Sequence, residues 1–416
     1  MAAQQDEPSL ESLSIDPAPT SAPASTPPAQ SLTTQIPKLS EIQNIAAHVT
    51  PPTIPNSRTA PLTNHLKRSD PFQFGSRYLE ESDDVYAWNA WDHVDPSKDE
   101  LFVSYAEKQY AFQREHAASD FDRRRFNAEP EKWWNKFYGN NEANFFKDRK
   151  WLKQEFPALA ECTSAPEDGR EEGGSKKRRM NTILEIGAGA GNTAFPLLKD
   201  NANPDLMIHA CDFSSKAVQL IKSSAYYDPK HITASQWDMA SKALPEGVEP
   251  GSVDVVVLVF AFSALAPSQW KQAVRNVWKV LRPGGEVCFR DYGRGDLAQV
   301  RFKKGRLLGD NFYARGDGTR VYFFEEEELR TIWGEGFKGL DIEAEDGREA
   351  SEINADEETE SMIFEIESLG TDRRLLVNRQ KQLKMYRCWM QGHFRKLETL
   401  VNTGKDNSNP DKANNT

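Results

Sequence analysis

The sequence predicts an α/β fold in which a mostly parallel, seven-stranded sheet carries helices on both faces, preceded by a helical extension. Three observations predict it. From Asn181 onward, short apolar runs alternate with amphipathic stretches, as strands and their covering helices do in a parallel sheet. The run at 253–260 is apolar enough to be buried on both faces. Between the first such strand and the first helix lies a turn with glycine at three alternate positions, Gly187, Gly189 and Gly191, where the backbone can bend sharply and approach a ligand.

Residues 182–186 read as the first strand and the segment after Gly191 as its helix. Strands are then expected at 206–211, 231–236 and 253–260, with a helix at 214–223. A helix at 268–281 should stop before Pro283-Gly284-Gly285, a turn leading into a strand at 286–289. A helix at 325–333 and closing strands near 361–369 and 385–392 complete the pattern. Upstream, 82–159 is helical and rich in aromatic and basic residues, including EKWWNKFYGNNEANFFKDRKWLKQEF.

The chain therefore divides into a Pro/Ser/Thr-rich tail at 1–70, expected to be disordered, and a helical region at 71–165. A Gly/Glu/Lys linker at 166–180 leads to the main domain at 181–398, and a polar tail at 399–416 is also expected to be disordered. The KKRR cluster in the linker reads as solvated chain or as a nuclear signal. Mean hydropathy is low, at −0.69, and the polar tails account for much of it.

The first ten residues, MAAQQDEPSL, have neither the cationic stretch nor the apolar run of a signal peptide. The longest apolar run falls far short of the roughly 20 residues that cross a bilayer. Cys162, Cys211, Cys288 and Cys388 show no paired spacing, so neither a zinc site nor a disulfide framework is expected. A reduced compartment follows, cytoplasmic with the nucleus as the alternative. The net charge of −11 argues against a nucleic-acid partner until its distribution is examined. Much of the excess lies in an acidic insertion at 341–361, DIEAEDGREASEINADEETE and the residue after it, whereas 290–320 and 373–396 are locally basic. A local basic face, not the total, governs contact with phosphates.

The motif Leu184-Glu185-Ile186-Gly187-Ala188-Gly189-Ala190-Gly191-Asn192 is the most informative. A dinucleotide turn would place its third glycine at 192, where this chain has Asn192. With Glu185 two residues before the first glycine, the arrangement resembles the S-adenosylmethionine loop of Rossmann-like class I methyltransferases. Asp212 closes the second strand, where a carboxylate can accept hydrogen bonds from both ribose hydroxyls. Asp238, followed by Met239, ends the third strand, where that family places an acid against the adenine amino group; Val259 on the fourth would pack near the cofactor. Any one of these acids could be a helix cap or a solvated loop residue. Three in register at successive strand ends point to the cofactor.

Longer stretches carry a second resemblance: WNKFY from Trp134 to Tyr138, FFKDRKW from Phe145, RDYG from Arg290, LAQVRF from Leu297 and NFYARGDGTRVYFF from Asn311. These are similar to the tRNA N3-methylcytidine methyltransferases over about residues 70–395. NAWDHV from Asn89 resembles the branch that modifies position 32 of threonine tRNAs, with serine tRNAs as a further class. The resemblance implies S-adenosylmethionine as cofactor, tRNA as partner and an aminoacyl-tRNA synthetase as a candidate assistant. It also implies that Trp134 and Tyr138 fold over the cofactor and that Phe145, Phe146, Lys147, Arg149 and the Arg290-Asp291-Tyr292 motif border the target base. The chain departs from the family's pattern at the linker and the acidic insertion.

Cytosine N3 carries an in-plane lone pair and needs no strong base to attack a methyl sulfonium. The site must align the reactants and set a carboxylate near the cation that develops. Asp291 is the first candidate and Asp148 the second, with an ion pair to Arg290 or Arg294 as the structural alternative for Asp291. Tyr292, Phe312 and Tyr313, with Phe145 and Phe146, could stack an unpaired base or simply pack a core. Arg149, Arg294, Arg301, Lys303, Lys304, Arg315, Arg320, Arg373 and Arg374 are candidates for phosphate contact. Two other readings stay open: a protein or small-molecule methyltransferase on the same fold, and a noncatalytic tRNA-binding protein.

Overall fold

The structure, a computed structural model, describes residues 77–143, 145–165, 181–340 and 362–397. The expected disordered tails, the 166–180 linker and the acidic insertion lie outside the described residues. The N-terminal part contributes β1 (Ala90–Asp92), then α1 (Glu100–Glu115), α2 (Asp120–Ala128), α3 (Pro130–Asn141), α4 (Leu152–Glu155) and α5 (Pro157–Thr163). Local chemistry sets the starts of these helices. Asp99 and Ser119 cap α1 and α2 by accepting from Phe102 N and Asp122 N, while α3 and α5 begin with proline, whose missing N–H costs nothing there.

The main domain runs β2 (Thr182–Ile186), α6 (Ala194–Lys199), β3 (Met207–Asp212), α7 (Ser215–Ser223), β4 (Ile232–Gln236), β5 (Val253–Val259), α8 (Trp270–Val280) and β6 (Leu281–Tyr292). Next come α9 (Leu297–Val300), β7 (Leu307–Gly309), β8 (Phe312–Ala314), β9 (Arg320–Tyr322), α10 (Glu326–Gly334), β10 (Phe364–Asn378) and β11 (Leu383–Lys396). The large sheet has the order β1-β10-β11-β6-β5-β2-β3-β4. Strands β4, β3, β2, β5 and β6 are parallel, and β11, β10 and β1 continue the sheet antiparallel. This is the expected Rossmann-like class I architecture.

Four features differ from the expectation. The sheet has an eighth strand, because β1 pairs with three residues of β10's outer edge; Trp91 pairs with Leu375 and packs with Val377 and Tyr386. The closing strands are far longer than expected, because buried charged residues such as Asp372 and Arg374 interrupt the apolar alternation that marks a strand. Pro283-Gly284-Gly285 does not separate helix from strand. Helix α8 hands directly to β6, and the extra residues are absorbed by a register shift between the Val253–Leu281 and Val255–Glu286 pairs. Strands β7, β8 and β9 form a small separate antiparallel sheet that the sequence pattern did not reveal.

Both faces of the large sheet are covered. Phe262, Trp270, Phe289, Phe324 and Trp333 fill one side. On the other, Leu152, Phe156, Leu159 and Cys162 from α4 and α5 pack with Ile183, Ile208, Val255 and Val257. The helical extension is thus part of the domain core rather than an appendage. Every residue of β5 is buried, including Asp254, which is fully enclosed. Its carboxylate accepts from Asn181 N (2.8 Å), Thr182 N (2.9 Å) and the Arg282 guanidinium, and so fixes the starts of β2 and β6 together. Replacing Asp254 with alanine strands the Arg282 cation and two backbone donors. Urea unfolding should show a loss of about 3–5 kcal/mol.

Candidate functional site

The glycine turn leaves β2 at Ile186 and reaches α6 in seven residues. Its start is fastened to β3, since Gly187 N and Ala188 N both donate to Cys211 O, at 2.8 and 3.0 Å. Two glycines are required by neighbours. A methyl group at Gly187 would sit 2.5 Å from the Ala261 side chain, and one at Gly189 would sit 2.6 Å from the Tyr138 hydroxyl; both residues have positive φ. The three strand ends then converge as expected. Asp212, Asp238, Met239 and Val259 line one cleft with Gly187, Gly189, Trp134 and Tyr138.

Asp212 is buried, and its two carboxylate oxygens accept from Gly189 N and Ser214 N, each at 2.8 Å. Burial pushes its carboxyl up to about 6, although both backbone bonds favour the charged form. Asp238 is half-buried and accepts from Ala240 N at 2.9 Å. Trp134 and Tyr138 stack with ring centroids 6.2 Å apart. Burial raises the Tyr138 phenol well above its ordinary range, and the nearby Asp212 and Glu185 raise it further.

Two members of the expected cofactor set stand off the cleft. Gly191 is not in the wall; it lets the turn pass the Phe195 ring, which a methyl group would meet at 2.4 Å. Glu185 lies beneath the loop, 2% exposed, with Oε1 3.9 Å from the Arg149 guanidinium. Burial pushes its carboxyl up to about 7, while Arg149, the Thr193 hydroxyl and Ala194 N pull it down. Its Oε2 has no hydrogen-bond partner among the described residues.

The expected catalytic and substrate residues separate by environment. Asp291 is fully buried; its oxygens accept from Ser263 N and Tyr292 N, both at 2.9 Å, and burial pushes its carboxyl up to about 6. It is absent from the cleft wall. Nor does it pair with either arginine proposed as its alternative, because Arg290 bonds Asp372 and Arg294 bonds Glu325. Asp148 is exposed beside the cleft residues Phe146 and Arg149 and accepts from Asn192 Nδ2 at 3.3 Å. Phe145 packs edge-on against Phe137 and Phe146. Tyr292 is half-buried beside Phe260, with the Arg315 guanidinium 5.3 Å from its ring centre.

Several basic residues are not where phosphate contact would put them. Arg290 is buried between Trp151 and Trp389 and donates to Asp372 and Gln391, both at 2.7 Å. Strand alternation turns it away from the face that carries Asp291. Arg374 is buried beside Asp92, 3.3 Å away. Arg320, 4% exposed, lies in the cleft wall and donates to Asn127 and Gln269. Phe312 and Tyr313 are core residues, and the Tyr313 hydroxyl donates to Gln113. Lys147, Arg301, Lys303, Lys304 and Arg373 remain exposed.

Sequence reasoning missed Asn135, whose Oδ1 accepts from Ser214 Oγ (2.7 Å) and Lys216 N (3.2 Å), tying helix α3 to α7. Only its place between Trp134 and Tyr138 hinted at it. Outside the cleft, Glu286, Glu367 and His393 gather on β6, β10 and β11, but the imidazole already bonds both carboxylates, at 2.6 and 2.9 Å.

A methyltransferase-domain family model matches residues 184–287. The chain is 48% identical over 333 residues to the tRNA(Thr) (cytosine(32)-N(3))-methyltransferase of Saccharomyces cerevisiae, covering 80% of this chain and 47% of that one. It is 43% identical to the tRNA N(3)-methylcytidine methyltransferase trm140 of Schizosaccharomyces pombe, covering 78% and 92%. It is 39% identical to the tRNA N(3)-cytidine methyltransferase METTL2 of Danio rerio, covering 78% and 89%. It thus spans about half the length of the budding-yeast relative and most of the other two.

Gly189→Ala would drive a methyl group into the Tyr138 hydroxyl at a positive-φ position. Affinity for S-adenosylmethionine, measured by calorimetry, should fall by roughly tenfold or more, equivalent to about 1.4 kcal/mol.

Proposed function

The chain belongs to the tRNA N3-methylcytidine methyltransferase family, and on that premise we propose that it methylates N3 of a cytidine in tRNA, at position 32 of the anticodon loop of threonine tRNAs. The observation that carries the reaction is the 43% identity that extends over 92% of the fission-yeast relative; position 32 and the threonine tRNA come from the name of the budding-yeast relative, 48% identical over 80% of this chain. The cleft fits the methyl donor: Gly187 and Gly189 leave a cradle that side chains would fill, and Asp212 and Asp238 line it at successive strand ends. S-Adenosylmethionine supplies a methyl group activated on a sulfonium.

The residues of the chain bind, orient and shield. Asp212 would take the ribose hydroxyls and Asp238 the adenine amino group, with Met239 and Val259 beside them and Trp134 and Tyr138 closing the opening. The cytosine must leave any stack to present N3, and Phe146 at the cleft wall gives it a ring to lie against. N3 needs no general base, so the remaining task is to stabilise the positive ring. Asp148 suits that role better than Asp291, because it is exposed beside the cleft whereas Asp291 is enclosed and already satisfied. Lys147, Arg301, Lys303, Lys304 and Arg373 are the expected basic residues that stay available to tRNA phosphates. Among the described residues no helix is long and apolar enough to cross a membrane. This reading takes the enzyme as cytoplasmic, with an aminoacyl-tRNA synthetase as its candidate assisting partner.

Incubation with total tRNA and labelled S-adenosylmethionine, followed by nucleoside analysis, should yield 3-methylcytidine. Labelling that survives nuclease treatment of the substrate would instead indicate a protein or small-molecule acceptor. Cofactor affinity should depend on pH in a direction set by Asp212, whose carboxyl lies at about 6. The ionised form accepts both ribose hydroxyls and the protonated form does not. Affinity should therefore fall roughly tenfold between pH 7 and pH 5, and Asp212→Asn should bind weakly with a flat profile by calorimetry.

A further inference from the structure

Asn192 stands where a dinucleotide-binding turn would carry glycine, and the structure gives its side chain a task. Its Nδ2 donates to Phe146 O at 3.1 Å and to Asp148 Oδ1 at 3.3 Å. Its own carbonyl accepts from Arg149 N at 2.9 Å. Glycine would keep the last of these bonds and lose the other two. A second tie runs parallel, from the Arg149 guanidinium to Thr193 Oγ1 at 2.9 Å, beside Glu185. The segment 146–149 is therefore fastened to the end of the cofactor loop, and Phe146, Arg149 and Asn192 share one cleft wall with Gly187 and Gly189.

We propose that Asn192 is a positioning residue for methyl transfer, holding the 146–149 segment and its Asp148 carboxylate against the cofactor loop so that the acceptor ring meets the methyl group in one register. The proposal rests on reading that segment as the border of the target cytosine. Asn192 acts through Asp148 and Phe146. It is not itself a group that reacts. Alignment of this kind is costly to lose, since a displacement of about 1 Å can reduce turnover on the order of 100-fold.

The test compares wild type with Asn192→Ala in the full chain. Calorimetry with S-adenosylhomocysteine reads the cofactor loop, limited trypsin digestion at the exposed Lys147 and Lys150 reads the segment, and steady-state methylation of tRNA reads turnover. The expected result is an affinity for S-adenosylhomocysteine within about threefold of wild type, faster cleavage at 147–150 with that ligand bound, and a kcat lower by on the order of 100-fold with a smaller change in KM. Asn192→Ser, which keeps a short hydroxyl donor, should fall between the two and serves if the alanine variant does not fold. Turnover within twofold of wild type overturns the proposal, as does a loss of cofactor affinity that matches the loss of kcat. Wild-type protein inactive on tRNA would sink the substrate reading instead, and unchanged cleavage in the variant would still refute the tie.

Discussion

The buried carboxylate of Asp212 is the charge around which the cleft is arranged. A carboxylate removed from water is costly unless its lone pairs are taken, and here the Gly189 and Ser214 amides take one on each oxygen. Those two amides belong to different elements, the glycine turn and the start of α7. One side chain at the end of β3 therefore fixes the distance between the loop that approaches the cofactor and the helix that follows. Lone pairs remain on both oxygens, directed away from the backbone donors, and a vicinal diol is suited to use them.

The N-terminal region depends on this frame and completes it. Helix α3 carries Trp134 and Tyr138 over the cleft and is tied to α7 by Asn135. Helix α1 places Gln113, almost wholly buried, so that its Nε2 faces the carbonyls of Gln299, Val300 and Phe302 while its Oε1 accepts from Tyr313. A buried amide satisfied on both ends specifies one docking geometry, because any shift leaves a donor or acceptor unpaired. Strand β1 then closes the sheet edge on the far side. The extension that looks separable in sequence is held at three places by partners at least 79 residues away.

What was legible and what was not follows from the range of the interactions. The glycine turn, Asp212 and Asp238 were readable because a parallel sheet delivers strand ends to one rim, and strand ends can be located from apolar runs. Arg290, expected at the border of the target base, was misplaced, because its anion, Asp372, lies on β10 and its flanking rings are Trp151, just before α4, and Trp389 on β11. Arg374 repeats the error with Asp92. A buried cation is stable only with its partner in place, and no local pattern names a partner so distant. The short strand β1 failed for a related reason, since three residues carry too little periodicity to mark a strand. Glu185 shows the limit from the other side: its spacing relative to the glycines located it near the end of β2, but spacing could not tell a residue in the cleft wall from one beneath the loop.

The two candidate acids separate on the same physics. Asp291 has given a lone pair on each oxygen to backbone amides, and burial has already moved its carboxyl toward neutrality at about 6. Such a group ties Ser263, in the segment between β5 and α8, to the end of β6. Asp148 is exposed and, among the described residues, its carboxylate has one long hydrogen bond, from Asn192. In the proposed reading its field at an exposed rim is weak until an acceptor ring and the surrounding tRNA exclude solvent, whereupon the same charge would act through a lower dielectric. A carboxylate that gains strength only when substrate covers it stabilises the product-like cation more than the free site, which is the differential that accelerates a transfer.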